Sequence, residues 1–263
     1  MSPRARYDDL AGRRGLVTGA SSGIGRGVAE ALLDQGGSVA IHYRSNRGAA
    51  EALAAGFAGR AAALAADLAR EEECVRLVRE AAAALGGLEG VVHSAGVWSE
   101  GPADRISAEA LEEVFRVNVF SAFHLLREAL PFLRRGERGR GSVVLVGSTA
   151  GQRGEPGHAH YAASKGALQS AAMSWAVELA PAVRVNLVSP GWVRTPMAEA
   201  ELDEVGARIA GALPNRRVAE VEDVVHAVLY LASEVSAHLV GADLCVSGGG
   251  LLVVPRGQIQ QVD

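Results

Sequence analysis

This sequence predicts an α/β protein, one doubly wound parallel sheet of about seven strands with helices on both faces. Three observations carry that reading. Short apolar runs alternate with longer amphipathic stretches along the whole chain, a glycine-rich turn joins the first run to the first helix, and no repeat, linker or compositional break divides the 263 residues. Such alternation demands parallel βαβ units with helical crossovers packed on the sheet. A single domain over residues 1–263, with a short C-terminal extension after about residue 250, is the economical expectation.

Residues 15–18 form the first strand, and the helix at 24–35 follows the glycine turn. Residues 38–43, carrying Val39, Ala40 and Ile41, are a second strand candidate, followed by an alanine-rich helix at 47–58. The alanine run 61–66 is ambiguous by composition. The Asp67 and Ala69-Arg70-Glu71 signals after it read as a strand exit and helix entry, so it is taken as the third strand, followed by a helix at 70–85. A fourth strand at 88–93 precedes a long helical region, 107–134, with an expected interruption near Pro131. The remaining order is strand 142–147, helix 160–179, strand 183–188, a polar helix-prone stretch at 196–213, helix 219–232 and strand 242–247.

Composition bounds the function. Nearly half the residues (49%) are apolar and a formal charge of −4 gives no footprint for nucleic acid or an anionic membrane. Cys74 and Cys245 match no metal-ligand spacing, so no metal site is expected, and two free thiols in a reducing cytosol are the expectation. The polar N-terminus is no secretory signal and no apolar run reaches membrane-spanning length, which points to a cytoplasmic protein.

The chemistry concentrates at the strand ends. Thr18-Gly19-Ala20-Ser21-Ser22-Gly23-Ile24-Gly25 lets the backbone approach a pyrophosphate at a helix N-terminus. His42-Tyr43-Arg44-Ser45-Asn46 lacks the acidic side chain that would accept bonds from an adenosine ribose, and Arg44 offers a planar cation to a 2′-phosphate. NADP(H) is therefore favoured over NAD(H), with Arg44 as a solvated loop charge the bland alternative. Asp67 and Leu68 follow the third strand at the adenine end, where Asp67 equally serves as a helix cap. Ala95-Gly96 after the fourth strand lets the chain pass close to a cofactor, and Asn118 sits in a helix that disfavours it. Ser148 stands past the fifth strand, and Pro190-Gly191-Trp192-Val193-Arg194-Thr195 past the sixth offers backbone groups and a hydroxyl for a carboxamide. Tyr161 and Lys165, four apart, share a helix face. A phenol titrates near pH ~10, and a nearby ammonium favours its ionised form. Trp98 and Trp192 either line a pocket or anchor packing. His158 and His160, flanking the tyrosine, read as solvated loop groups. The basic run 134–140 reads as a solvated loop or a docking patch for an acidic carrier protein.

Taken in order, these motifs resemble the short-chain dehydrogenase/reductase family from residue 11 to about 250, most of all its 3-oxoacyl-carrier-protein reductases and broad-substrate relatives. The resemblance implies a Rossmann-type fold and hydride transfer between a nicotinamide and a ketone or secondary alcohol. It implies Tyr161 as proton donor or acceptor, Lys165 lowering the Tyr161 pKa and holding the nicotinamide ribose, Ser148 bonding the developing alkoxide, and Asn118 holding a relay water to Lys165. It also implies a homotetramer built through helices 107–134 and 160–179 and the last strand. Three departures stand out: Ser94 in place of asparagine before Ala95-Gly96, with altered stability expected; a short crossing at 178–184 without the basic residue of carrier-protein reductases; and Ser247-Gly248-Gly249 where Asp-Gly-Gly is common. The crossing puts a carrier-protein partner in doubt, and sugar, polyol, steroid and other ring ketones stay open as substrates, as do epimerisation or dehydration and cofactor binding without turnover.

Overall fold

A computed structural model describes residues 6–136 and 141–252. Residues 137–140 of the basic run and the tail beyond residue 252 lie outside the described residues. In chain order the elements are β1 (Arg14–Thr18), α1 (Gly23–Asp34), β2 (Ser38–Tyr43), α2 (Arg47–Ala55), β3 (Ala61–Ala65), α3 (Glu71–Leu85) and β4 (Gly90–His93). There follow α4 (Ala108–Phe115), a π turn (Arg116–Phe120), α5 (Ser121–Leu133), β5 (Gly141–Val146), α6 (Ala150–Arg153), α7 (Ala159–Leu179), β6 (Val183–Pro190), α8 (Glu199–Ala212), α9 (Val221–Ala232) and β7 (Asp243–Val246). All seven predicted strands form, and they pair in parallel in the order β3-β2-β1-β4-β5-β6-β7.

Successive strand residues point to opposite faces, and the core divides accordingly. Leu16, Val143 and Leu145 pack with Leu77, Leu125 and Leu168 of α3, α5 and α7. Their neighbours Val17, Val144 and Val146 pack with Val28, Leu33, Val224 and Val228 of α1 and α9 on the other side. The chain leaves β1 toward β2 on one side and reaches β4 on the other. That reversal opens a crevice at the carboxyl ends of β1 and β4, where open α/β sheets take their ligands.

Two boundaries differ from the sequence reading. The helix does not break near Pro131; the proline forgoes one bond, to the Arg127 carbonyl, and only two residues of α5 follow it. The interruption is the π turn at Arg116–Phe120, where one wide turn carries Asn118. The fourth strand begins at Gly90 rather than at 88, because Leu88 is buried in the core and Glu89 is drawn to Arg14, their charged atoms 3.2 Å apart. Arg184 on β6 is 1% exposed and donates to the carbonyls of Leu231 and Ser233 (both 2.9 Å), satisfying the open end of α9. Cys74 is buried, Cys245 is exposed, and both are free thiols. Among the described residues no helix is long and apolar enough to cross a membrane, and no cluster of potential metal ligands occurs.

Candidate active site

The crevice begins where β1 ends. Thr18 Oγ1 accepts from the backbone N–H groups of Ser94 and Ala95 (3.1 Å each), which binds the β1 exit to the β4 exit. Gly19 follows with φ +65°, a left-handed conformation, and Gly25 in α1 leaves no room for a side chain, since a Cβ there would lie 2.4 Å from the Gly19 carbonyl oxygen. The bare turn and the N-terminus of α1 form an anion cradle. A cavity of about 240 Å³ runs from it past the β5 and β6 exits. Gly19, Ser22, Gly23, Ile24, Gly25, Ala95, Gly96, Ser148, Tyr161, Lys165, Pro190, Gly191, Val193 and Thr195 all line it. Thus 14 sequence-predicted residues meet in one space. Ser21, Arg44, Asp67, Leu68 and Asn118 do not line that cavity.

Arg44 is exposed at the β2 exit, next to Tyr43, whose carbonyl accepts from the Ala66 N–H at 3.1 Å. It stands in no ion pair among the described residues, whereas nearby Arg47 binds Glu51 at 2.7 Å. The Asp67 carboxylate accepts from Ala69 N–H at 3.1 Å, so the local turn role is realised. The Leu68 side chain is 4% exposed and packs in the core, which leaves only its backbone for a ligand.

The catalytic groups converge from β5 and α7. Ser148 accepts from Ala150 N–H (3.1 Å) and stands near enough to the Tyr161 phenol to pull its pKa down. Lys165, 5% exposed, donates from Nζ to the Val146 carbonyl at 2.8 Å, and this ammonium lies 5.8 Å from the Tyr161 ring centre. The expected depression of the Tyr161 pKa by Lys165 is not met. Burial pushes the phenol up to about 12, against a downward pull from Ser148 and with a further push from Glu155. Burial also brings Lys165 down to about 8. Tyr161 therefore holds its proton at neutral pH, the state needed to donate to a carbonyl oxygen. Ketone reduction is accordingly expected to run at full rate near pH ~7, while alcohol oxidation, which needs the phenolate beside a charged Lys165, rises by about tenfold per pH unit up to about 8 and levels off above it. Initial rates in both directions check this; an oxidation rate flat with pH contradicts it.

Asn118 is fully buried and its amide is committed to the protein. Oδ1 accepts from Val97 N–H (2.8 Å), while Nδ2 donates to the Val97 carbonyl and to Ser164 Oγ (3.0 Å each). Both amide donors are thus engaged with the protein, and the side chain joins the β4 exit to α7.

The far end of the cavity is aromatic. Trp98 stacks on His158 with centres 4.4 Å apart and planes 3° apart, and meets Trp192 edge-on at 6.2 Å. Both tryptophans, Arg153 and Glu155 line the cavity. His158 thus serves to brace Trp98, and buried His160 bonds Ser99 Oγ at 3.0 Å. Glu155 hydrogen-bonds Trp98, and its pKa is raised, foremost by burial. Among the described residues of the basic run, Arg134 and Arg135 follow α5 and lead into β5, which places them at the amino edge of the sheet. The cavity opens at the opposite edge, so these arginines do not border it.

The space fits a dinucleotide: a side-chain-free cradle at a helix N-terminus for the pyrophosphate, and a continuous cleft to Tyr161 and Ser148. Comparisons agree. The family model described as enoyl-(acyl carrier protein) reductase matches residues 19–250. The 3-oxoacyl-[acyl-carrier-protein] reductase FabG of Haemophilus influenzae is 31% identical over 241 residues, covering 91% of this chain and 98% of that protein. The hydroxynaphthalene reductase-like protein Arp2 of Metarhizium guizhouense is 33% identical over 260 residues, covering 92% of this chain and 96% of that protein. In structure, a short-chain dehydrogenase/reductase (glucose/ribitol dehydrogenase) from Brucella melitensis superposes with a TM-score of 0.89 at 29% identity, covering 95% of this chain and all of that one. With the glycine cradle and the Ser148, Tyr161 and Lys165 cluster in place, the chain belongs to the short-chain dehydrogenase/reductase family, a family of oxidoreductases that bind a nicotinamide cofactor.

Proposed function

We propose that this protein is an NADP(H)-dependent oxidoreductase acting on a ketone or secondary alcohol. The observation that carries it is the meeting of Ser148 and Tyr161 beside a cradle built for a pyrophosphate. A bound nicotinamide supplies or takes the hydride. Ser148 orients the substrate oxygen and bonds it as charge develops. Tyr161 passes its proton to that oxygen in reduction. Lys165, held under the cleft on the Val146 carbonyl, brings a buried positive charge that favours the transient phenolate and offers further ammonium protons to a ribose. Asn118 keeps Val97 and Ser164 in register around this group.

The preference for NADP(H) rests on exposed, unpaired Arg44 beside the Asp67 turn. Arg44→Ala is expected to raise the KM for NADPH about tenfold and leave that for NADH unchanged, the loss of one charge-assisted hydrogen bond. Side-by-side consumption of NADPH and NADH with a short 3-oxoacyl thioester, a cyclic ketone and a sugar-like carbonyl tests the whole reading. Tight cofactor binding with no consumption across the panel would overturn it.

For substrate, the relative named 3-oxoacyl-[acyl-carrier-protein] reductase brings an acyl thioester as the first candidate. The stacked Trp98 and Trp192 favour a second, a planar ring ketone, in line with the relative named hydroxynaphthalene reductase-like. An acidic first half of α8, with Glu199, Glu201, Asp203 and Glu204, also disfavours a polyanionic carrier. Exposed Phe120, Phe123, Met173 and Val177 around α5 and α7 support a homotetramer, and the two free thiols accord with a cytosolic setting.

A further inference from the structure

Two buried imidazoles grip the start of the phosphate loop from opposite sides. His42 on β2 and His93 on β4 are each 2% exposed, and they flank the Thr18-Gly19 dipeptide at the end of β1, the strand between them. The Gly19 N–H donates to His42 Nδ1 at 3.0 Å. Since a backbone N–H only donates, Nδ1 is unprotonated, and the proton sits on Nε2, which donates to the Ala66 carbonyl at 3.1 Å. On the other side Thr18 Oγ1 already accepts two N–H groups, so its own proton goes to His93 Nδ1 at 3.0 Å. His93 Nε2–H then donates to Ser121 Oγ (3.2 Å), whose proton goes to the Val117 carbonyl (2.5 Å).

Every proton in this strip has one consistent placement. It runs from Ala66, just before Asp67 and Leu68, through His42, Gly19, Thr18 and His93 to Ser121 and the π turn that carries Asn118. Both imidazoles must be neutral for it to hold. Burial lowers His42 to about 4; burial, helped by the charge of Lys165 and by His42, lowers His93 to about 3, with the Asn118 backbone opposing. Each thus accepts at Nδ1 and donates at Nε2, two roles on two separate atoms, as in a neutral imidazole or a side-chain amide.

We propose that His42 and His93 are positioning residues for the cofactor: they fix the Thr18-Gly19 backbone in the shape that receives the pyrophosphate, and join the adenosine end of the cleft to the catalytic end. The Gly19 N–H is committed to His42, so the phosphate is met by the remaining groups of the turn. This inference rests on the cofactor reading above.

The test uses the geometry of amide substitutes. An asparagine side chain reaches about as far as Nδ1 and keeps the bond to Gly19 or Thr18. A glutamine reaches about as far as Nε2 and keeps the far bond instead. At both positions Asn is expected to hold the dissociation constant for NADPH within about threefold of the parent, while Gln and Leu raise it about tenfold or more, with kcat at saturating cofactor changed less than about twofold. Fluorescence titration gives the first quantity and steady-state kinetics the second. Should the Leu variants not fold, the Asn and Gln pair decides alone. Equal NADPH affinity in folded Asn and Gln variants, or a loss confined to kcat, overturns the inference and leaves the cofactor reading standing. A parent protein that binds neither NADPH nor NADH overturns the cofactor reading and the inference with it.

Discussion

Tyr161→Phe is expected to lower kcat by about a thousandfold or more while the dissociation constant for the cofactor stays within about twofold. The variant keeps the ring, whose centre lies 5.8 Å from the Lys165 ammonium, and removes only the hydroxyl that faces Ser148. With the phenol gone, the nearest remaining acid is the Lys165 ammonium, whose Nζ is held on the Val146 carbonyl at 2.8 Å. Separate measurement of binding and turnover is essential, because Lys165 and the glycine cradle remain intact. A Phe variant retaining about a tenth or more of the parent turnover would sink the assignment of Tyr161 as acid.

Gly25→Ala is expected to weaken cofactor binding by about a hundredfold or more, or to prevent folding. The new methyl group would sit 2.4 Å from the Gly19 carbonyl oxygen and 3.0 Å from that of Thr18, both backbone atoms. The loop has little freedom to retreat, since His42 holds Gly19 and the β4 exit holds Thr18. Gly48→Ala is the matched control. It lies exposed in the first turn of α2 with nothing within 4 Å of a new Cβ, and is expected to be neutral or to stabilise by up to about 1 kcal/mol. Thermal unfolding and cofactor titration of both variants check the pair. Normal cofactor affinity in Gly25→Ala would show that the crowding at the cradle is relieved without cost to the site.

Much of this was legible in the residues. The strands announce themselves by apolar runs, and residues near in sequence, such as Thr18 to Gly25 or Tyr161 and Lys165, carry their chemistry in their spacing. What escaped was long-range. His42 and His93 look like ordinary strand residues because their partners lie 23 and 75 positions away. The tryptophans were ambiguous for the same reason, since Trp98 gains its meaning only from His158 and Trp192. Leu68 was placed at the cofactor by its neighbour Asp67, but its apolar side chain turns into the core. The Tyr161 pKa was misjudged because a sequence shows a cation four residues away and not the burial that outweighs it. Pro131 drew the eye as a breaker, while the true change of helical phase falls at Asn118, whose signal was only a polar residue out of place.

That π turn makes the stretch from Ala108 to Leu133 continuous in length but shifted in phase. Each helical residue turns the chain by about 100°. Removing a single residue between 116 and 120 would restore plain α-helix and swing all of α5 about its axis by that angle. Ser121 would leave His93, and Phe123 would leave Trp175, with which it now packs at 4.6 Å. The five-residue turn is therefore a counting device: side-chain exchange within it leaves the downstream helix facing the same way, whereas a change in its length does not. In the drift of sequences over time, exchange should be confined to the exposed Arg116 and Phe120, since Val117, Asn118 and Val119 are buried, while insertion or deletion anywhere in the turn should be refused.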